Sequence, residues 1–283
     1  MRVAIAQISA GTDPAANLGL VADQIATAAD GGADLVVFPE ASMCRFGVPL
    51  RDRAEPVDGP WATGVRAAAR AHGIAVVVGM FTPGADGRVR NTALVVDRTG
   101  AVRTYDKMHC YDAFGYTESD TVEPGTHPVL LDLPLADGTT ARLGVAICYD
   151  IRFPELFGAL ADAGAQVIAV PTSWGVGPGK AEQWRILTSA RALDSGAFLV
   201  AADQAAPADP AARKGPAGIG ISRLIDPFGS VVDDEYTESP QLRVHRIDLA
   251  DVTRARDTLG MRSNRRPIGA VDLGGDRRTP AEG

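Results

Sequence analysis

The chain has 283 residues, a formal net charge of −7, 46% hydrophobic and 22% charged residues, an ordinary globular composition whose length a single α/β domain accommodates. The acidic balance and the lack of Lys/Arg tracts remove the electrostatic footprint of a nucleic-acid binder or of a protein held on an anionic membrane. Apolar runs such as LVVFP and AVVVGM fall far short of the roughly 20 residues that span a bilayer.

The opening MRVAIAQISAG alternates as a strand does over residues 3–8 and lacks the basic and long apolar regions of an export signal, so a cytoplasmic location is expected. Asp13 followed by Pro14 reads as an N-cap and first helical residue, opening a helix toward Ala29. Strands are expected at 35–38, 75–80 and 92–96, with Asp86-Gly87 and Thr99-Gly100 as turn signals between strands. A second series follows: strand 142–147, a helix opened by Pro154, strand 167–170, and a helix over 180–195 spaced by Trp184, Leu187, Arg191 and Leu193. Strands 198–202, 220–225 and 241–247 complete it, with Pro227-Phe228-Gly229 as a turn. Residues 205–218, rich in Ala, Pro and Gly, read as a mobile surface loop, and 271–283 as a poorly ordered tail behind a single domain over 1–270. Two similar halves, each a βα unit followed by hairpin-like strands, imply two sheets packed face to face with helices outside.

Three cysteines, Cys44, Cys110 and Cys148, form no CxxC spacing, so neither a disulfide framework nor a zinc knuckle is suggested. Cys148 lies in RLGVAICYDIRFPEL, where an apolar strand delivers the thiol to its C-terminal edge and Pro154 starts a helix soon after. Strand-to-helix turns collect active sites because the strand end is rigid and free N–H groups point into the crevice. A buried structural cysteine is the ordinary alternative, weakened by the polar Asp150, Arg152 and Glu155 that follow. A reactive thiol wants a base or a cation nearby. Of four histidines only His109, beside Lys107, has a suggestive setting, which leaves a Cys–His enzyme open. Lys107 is one of only three lysines in an arginine-rich chain; it is either a solvated surface residue or a compact ammonium kept for its chemistry. Glu40, in ADLVVFPEAS, follows an apolar strand and a proline, and either caps the next turn or joins the thiol. A carboxylate to take and return a proton, an ammonium to meet an oxyanion and a thiol to attack together break C–N bonds without a metal.

VVFPE with Glu40, YDKMHCYD with Lys107 and GVAICYDIRFPEL with Cys148, in that order and joined by Ala4 to Gln7, GYTES, VPTSW, WRILTSARALDSGAFLVAADQ, SRLIDPFG and Asn264-Arg265-Arg266, resemble the nitrilase or carbon–nitrogen hydrolase superfamily over essentially the whole chain. The resemblance implies a four-layer αββα sandwich, no cofactor and no metal, and a homodimer or higher homo-oligomer. It implies Glu40 as general base, Lys107 as stabiliser of the tetrahedral intermediate, Cys148 as nucleophile, and Glu118 as an auxiliary carboxylate holding Lys107 and the leaving group. The alternative for Glu118 is a loop-capping role. The N–H of Tyr149 would complete an oxyanion hole. Cys110 stands where related sequences often carry an aliphatic residue, a departure that bears on pocket shape.

CYDIRFPEL looks most like the branch of omega-amidases and deaminated-glutathione amidases, which implies hydrolysis of an amide of a small carboxylated molecule; N-carbamoyl and nitrile hydrolysis share the triad. Arg152 is the candidate carboxylate clamp, since its fork suits bidentate recognition; a salt bridge to Glu155 or a dimer contact is the alternative. Ser173 and Trp174 would form another pocket wall by family analogy, although the indole suits a core equally. A Cys–His thiol hydrolase using His109, and a nonenzymatic scaffold, are the competing classes. A glutaminase-type nucleophile elbow wants glycines flanking the cysteine two residues away, where this chain has Ala146 and Asp150.

Overall fold

The computed structural model describes residues 1–209, 213, 215–233 and 235–267. Alternation in RVAIAQ sends Val3 and Ile5 to one face of β1 (Arg2–Gln7) and Ala4 and Ala6 to the other, and all four are fully buried. A strand buried on both faces needs a layer on each side. On one side lie α1 (Pro14–Asp30) and α2 (Pro60–His72), whose Val21, Ile25, Trp61 and Val65 pack on Ala4, Val36, Val76 and Leu94. On the other, Val3, Ile5, Val37 and Val77 share a core with a second sheet, which α3 (Pro154–Asp162) and α4 (Lys180–Ser195) cover through residues such as Phe157, Leu160 and Trp184. The layers are αββα.

In the first sheet β1, β2 (Leu35–Val37) and β3 (Ala75–Pro83) run parallel, flanked on one side by antiparallel β4 (Val89–Val96) and β5 (Val102–Asp106). The second repeats the plan: β7 (Thr140–Val145), β8 (Val167–Thr172) and β9 (Phe198–Asp203) are parallel, with β6 (Val129–Pro134) and β10 (Arg223–Ile225) antiparallel at the edges. The last strand, β11 (Gln241–Arg246), does not stay with the second half. It crosses to pair antiparallel with β1, Arg2 opposite Arg246 and Gln7 opposite Gln241, and α5 (Ala250–Leu259) follows.

Asp13 caps α1, its carboxylate accepting from the Ala15 amide at 3.0 Å, and Pro14 and Pro154 occupy first-turn positions of their helices. Asp86 and Gly87 turn β3 into β4 with φ of 54° and 75°. Of the stretch expected as a surface loop over 205–218, the described residues form no helix or strand; Ala208 and Asp209 are exposed, Ala205 is buried, and Pro207, Ala208, Pro216 and Ala217 form part of a cavity wall. The proposed tail, 271–283, lies outside the described residues. Among the described residues no helix is long and apolar enough to cross a membrane.

Candidate active site

Parallel strands deliver the residues that follow them to one end of the sheet. Glu40 comes after β2, Cys148 after β7, Ser173 and Trp174 at the end of β8, and Gln204 directly after β9; Lys107 follows antiparallel β5. All six line one cavity of about 760 Å³, together with Glu118, Tyr149 and Arg152. The structure therefore brings together every site residue expected from the sequence.

The turn carrying Glu40 lies against β3 so closely that a Cβ on Gly79 would fall 2.7 Å from the Pro39 carbonyl and 2.8 Å from the Glu40 Cα. Glycine there is a requirement of the approach. Glu40 is 1% exposed and does not cap its own turn. Its Oε1 accepts from Lys107 Nζ at 3.0 Å and Asn91 Nδ2 at 2.7 Å, and its Oε2 from the Ser173 amide at 3.0 Å. Lys107, equally buried, also donates to Glu118 at 2.8 and 3.1 Å. Glu118 in turn accepts from the Tyr111 amide at 2.6 Å, so the loop-capping and lysine-holding readings are both realised. Asn91 bridges the carboxylates, reaching Glu118 at 3.3 Å.

Cys148 opens a 3-10 turn, Cys148–Arg152, with φ of 47°, a left-handed conformation uncommon for a side chain of this kind. Asp150 holds that turn. Fully buried, it accepts from the Ile147 amide at 2.9 Å, the Tyr105 hydroxyl at 2.7 Å and the His109 amide at 2.9 Å, tying the Lys107 segment to the Cys148 segment. His109 places Nδ1 2.7 Å from Asp150 and stacks on Phe153 with ring centroids 3.6 Å apart. Its ring is committed to Asp150, and the charged groups acting most on the Cys148 thiol are Glu40 and Lys107.

Burial raises the Glu40 carboxyl, with Lys107 opposing and Glu118 adding to the rise. Burial works against the Lys107 charge, yet Glu118 and Glu40 outweigh it and hold the ammonium well above the usual lysine range. The Cys148 thiol is pushed well up by burial and then by Glu40, against Lys107. The Cys148 Sγ donates to the Ser173 carbonyl at 3.8 Å and lies within the electrostatic reach of Glu40 and Lys107. A neutral thiol beside a carboxylate and a charged ammonium is poised to lose its proton only as a new charge appears for Lys107 to meet.

Arg152 makes no ion pair with Glu155; its Nη2 donates to Gln183 at 2.7 Å, and its guanidinium faces Tyr149 and Trp174 at 5.8 and 5.3 Å. Trp174 is core and wall at once: 3% exposed, it donates through Nε1 to the Lys180 carbonyl at 2.9 Å. Cys110 packs beside Ala41, Phe81, Val89 and Val122 and takes no part in the cavity wall.

Four participants were missed by sequence reasoning: Asn91, Asp150, Asp203 and Gln204. Gln204 donates from Nε2 to the Glu40 carbonyl at 2.9 Å, and buried Asp203 accepts from the amides of Trp174, Ile219 and Gly220 at 2.8 to 3.1 Å. Burial lifts Asp203 to about 7 against those donors. A usable signal existed for both, since they end an apolar strand as Glu40 and Cys148 do. Asn91 had a weaker one, a lone amide in VRNTALVV. Among the described residues no group of three or more His, Cys, Asp or Glu side chains is placed to hold a metal ion.

An αββα sandwich whose parallel-strand ends converge on a thiol, an ammonium and two carboxylates defines a class: hydrolases of carbon–nitrogen bonds other than peptide bonds. The chain belongs to the carbon-nitrogen hydrolase family, which matches residues 2–257. It is 52% identical over 281 residues to hydrolase Rv0480c of Mycobacterium tuberculosis H37Rv, covering 96% of this chain and 98% of that protein. It is 31% identical over 269 residues to the deaminated glutathione amidase of Escherichia coli O157:H7, covering 94% and 97%. Among solved structures it is similar to an amidase from Nesterenkonia sp. AN1, a glutamate-to-glutamine mutant in which acrylamide has added to the active-site cysteine. That likeness has a TM-score of 0.74 at 29% identity and covers 93% of this chain and 99% of that one.

Proposed function

We propose that the protein hydrolyses the primary amide of a small carboxylated molecule, releasing ammonia through a thioester on Cys148. The observation that carries the reading is the single buried cluster in which the Glu40 carboxylate meets both the Lys107 ammonium and the Cys148 thiol. The acrylamide adduct at the cysteine of the Nesterenkonia amidase supports the same nucleophile here.

In this mechanism Glu40 takes the Sγ proton as sulfur attacks the amide carbon, and the C=O electron pair moves onto oxygen. Lys107 Nζ and the Tyr149 amide N–H meet that oxyanion. Glu118 keeps Lys107 charged and aimed at it. As the tetrahedral intermediate collapses, the C–N bond breaks, Glu40 returns the proton to nitrogen, and ammonia leaves. Water then attacks the thioester with Glu40 again as base, freeing the acid and the thiol. Arg152 grips the substrate carboxylate, and Ser173 and Trp174 wall the acyl chain. A single hydrolase domain over 1–270 is part of the same reading, supported by a family match that spans 2–257, as are a cytoplasmic location and a homodimer or higher homo-oligomer.

The test is ammonia release across matched carboxylated amides, N-carbamoyl amino acids and nitriles, with intact-mass detection of the acyl-enzyme. Fastest turnover on a carboxylated amide, with an adduct of acyl mass absent from Cys148→Ala, is expected. Turnover confined to nitriles or N-carbamoyl amino acids would overturn the substrate reading, and turnover without an adduct at Cys148 the mechanism.

A further inference from the structure

Lys180 has no role in the chemistry above, yet its surroundings are costly for a cation. It is the first residue of α4, where the helix dipole disfavours positive charge. It is only 7% exposed. Arg152 and Lys180 line the same cavity as Cys148, and among the described residues no carboxylate forms an ion pair with either, whereas Lys107 has two such partners. The ammonium is left with a hydrogen bond to the Tyr111 hydroxyl at 3.2 Å and the face of the Phe114 ring at 3.4 Å. The same Phe114 ring lies 6.0 Å from the Arg152 guanidinium, and both cations also face Trp174. The Arg152 Nε is buried with no hydrogen-bond partner. Burial and the neighbouring Arg152 both depress the Lys180 ammonium below the usual lysine range.

Each of these penalties is relieved by one event, the arrival of an anion between the two cations. We propose that Lys180 is a specificity-determining residue: its ammonium and the Arg152 guanidinium together form a two-cation subsite for a substrate carboxylate remote from the scissile bond. The inference rests on the amide-hydrolase reading above and deepens it. Arg152 supplies a planar fork and a buried donor without a partner. Lys180 supplies a point charge whose present partners, a ring face and a hydroxyl, are weaker than a carboxylate.

The experiment follows Cys148 alkylation by iodoacetamide, read as intact mass, with glutarate or 1,5-pentanediol as the protecting ligand. Wild-type protein is expected to be protected by glutarate at concentrations where the diol does nothing. In Lys180→Met, which keeps the aliphatic stem, the half-protecting glutarate concentration should rise at least about tenfold, and Lys180→Arg should restore it to within about threefold. Equal protection of the wild type by glutarate and the diol overturns the subsite without any variant being needed. So does a Lys180→Met protein, folded by thermal unfolding, whose glutarate protection is unchanged. Should Lys180→Met not fold, Lys180→Gln carries the same expectation. Amide turnover enters none of these readouts, so an enzyme active only on nitriles refutes the proposed function while protection still decides the subsite.

Discussion

Replacing Glu40 by glutamine separates proton transfer from nucleophilicity. The three groups that Glu40 accepts from are all donors: Lys107 and Asn91 on Oε1, the Ser173 amide on Oε2. A glutamine carbonyl can keep the first two, and its NH2 then faces the Ser173 N–H. One hydrogen bond is lost, about 1–3 kcal/mol, offset by removing a buried carboxylate, and Lys107 retains Glu118. The variant should therefore fold. Its turnover should drop by roughly 10²- to 10⁴-fold, about 3–5 kcal/mol of barrier, because nothing accepts the thiol proton or returns it to the leaving amine.

The thiol itself should behave in the opposite way. After burial, the Glu40 charge is the largest influence raising the Cys148 pKa, so removing that charge makes the thiol easier to ionise against Lys107. Alkylation of Cys148 by iodoacetamide at neutral pH should hold or accelerate while ammonia release collapses. Two results refute the reasoning. One is turnover within about threefold of wild type, far inside the range for loss of a general base. The other is a parallel loss of alkylation and turnover, which would mean that Glu40 matters to the site only as a structural support.

Cys148→Ala should remain folded and release no ammonia, and the same change at Cys44 or Cys110 should leave most turnover intact in the same assay. Lys107→Met leaves buried Glu40 and Glu118 facing each other without a cation, so it should lose turnover at least as severely as Glu40→Gln and about 3–5 kcal/mol of stability in denaturant unfolding. His109→Ala should be much milder than Glu40→Gln in ammonia release, since its ring nitrogen serves Asp150 and not the thiol; a collapse there would revive the Cys–His mechanism. Arg152→Met should lower kcat/KM for a carboxylated amide relative to an uncharged amide of equal size by roughly 10- to 100-fold, whereas a parallel fall for both would defeat the clamp. Burial lifts the folded Asp203 carboxyl from 3.8 to about 7, so the native chain holds a proton that the unfolded chain releases. This group's contribution to stability consequently falls as pH rises from about 4 to about 7. The stability of wild type relative to Asp203→Asn should decline across that window, and a constant difference would contradict it.

What could be read from the sequence depended on whether a residue's role was written in its own neighbourhood. Glu40 and Cys148 each close an apolar run, and β2 and β7 are buried strands of the kind that such runs specify. The caps of α1 and α3 are local as well, because a side chain and a proline at fixed offsets determine them. β5 was legible only as the partner that the Thr99-Gly100 turn implies, since its burial alternates weakly in VRTYD and it is held as a strand by pairing with β4. α2 was legible in principle, because Pro60 opens it, Gly73 closes it behind His72, and its buried Trp61, Ala62, Val65 and Ala69 recur at helical spacing. The crossing of β11 is a fact of pairing with β1, about 240 residues away in sequence, and no pattern within QLRVHR encodes it.

The same distinction runs through the site. Asn91 matters because Glu40 and Glu118, 51 and 27 residues away in sequence, both present acceptors to its amide. Lys180 was visible only as a helix-opening residue and one of three lysines; its isolation from carboxylates exists only once Arg152, Tyr111 and Phe114 have been folded around it. Asp203 and Gln204 lie between these cases. They sit at a strand end exactly as exposed to inference as Glu40, but a carboxylate and an amide whose partners are backbone groups of Trp174, Ile219 and Glu40 act by holding the wall and the base in place. Chemistry-bearing residues announce themselves by type and position, whereas the residues that orient them are defined by donors and acceptors contributed from elsewhere in the chain. For this protein that places the proposed nucleophile, base and ammonium within reach of sequence, and the second cation of the proposed carboxylate subsite within reach of structure alone.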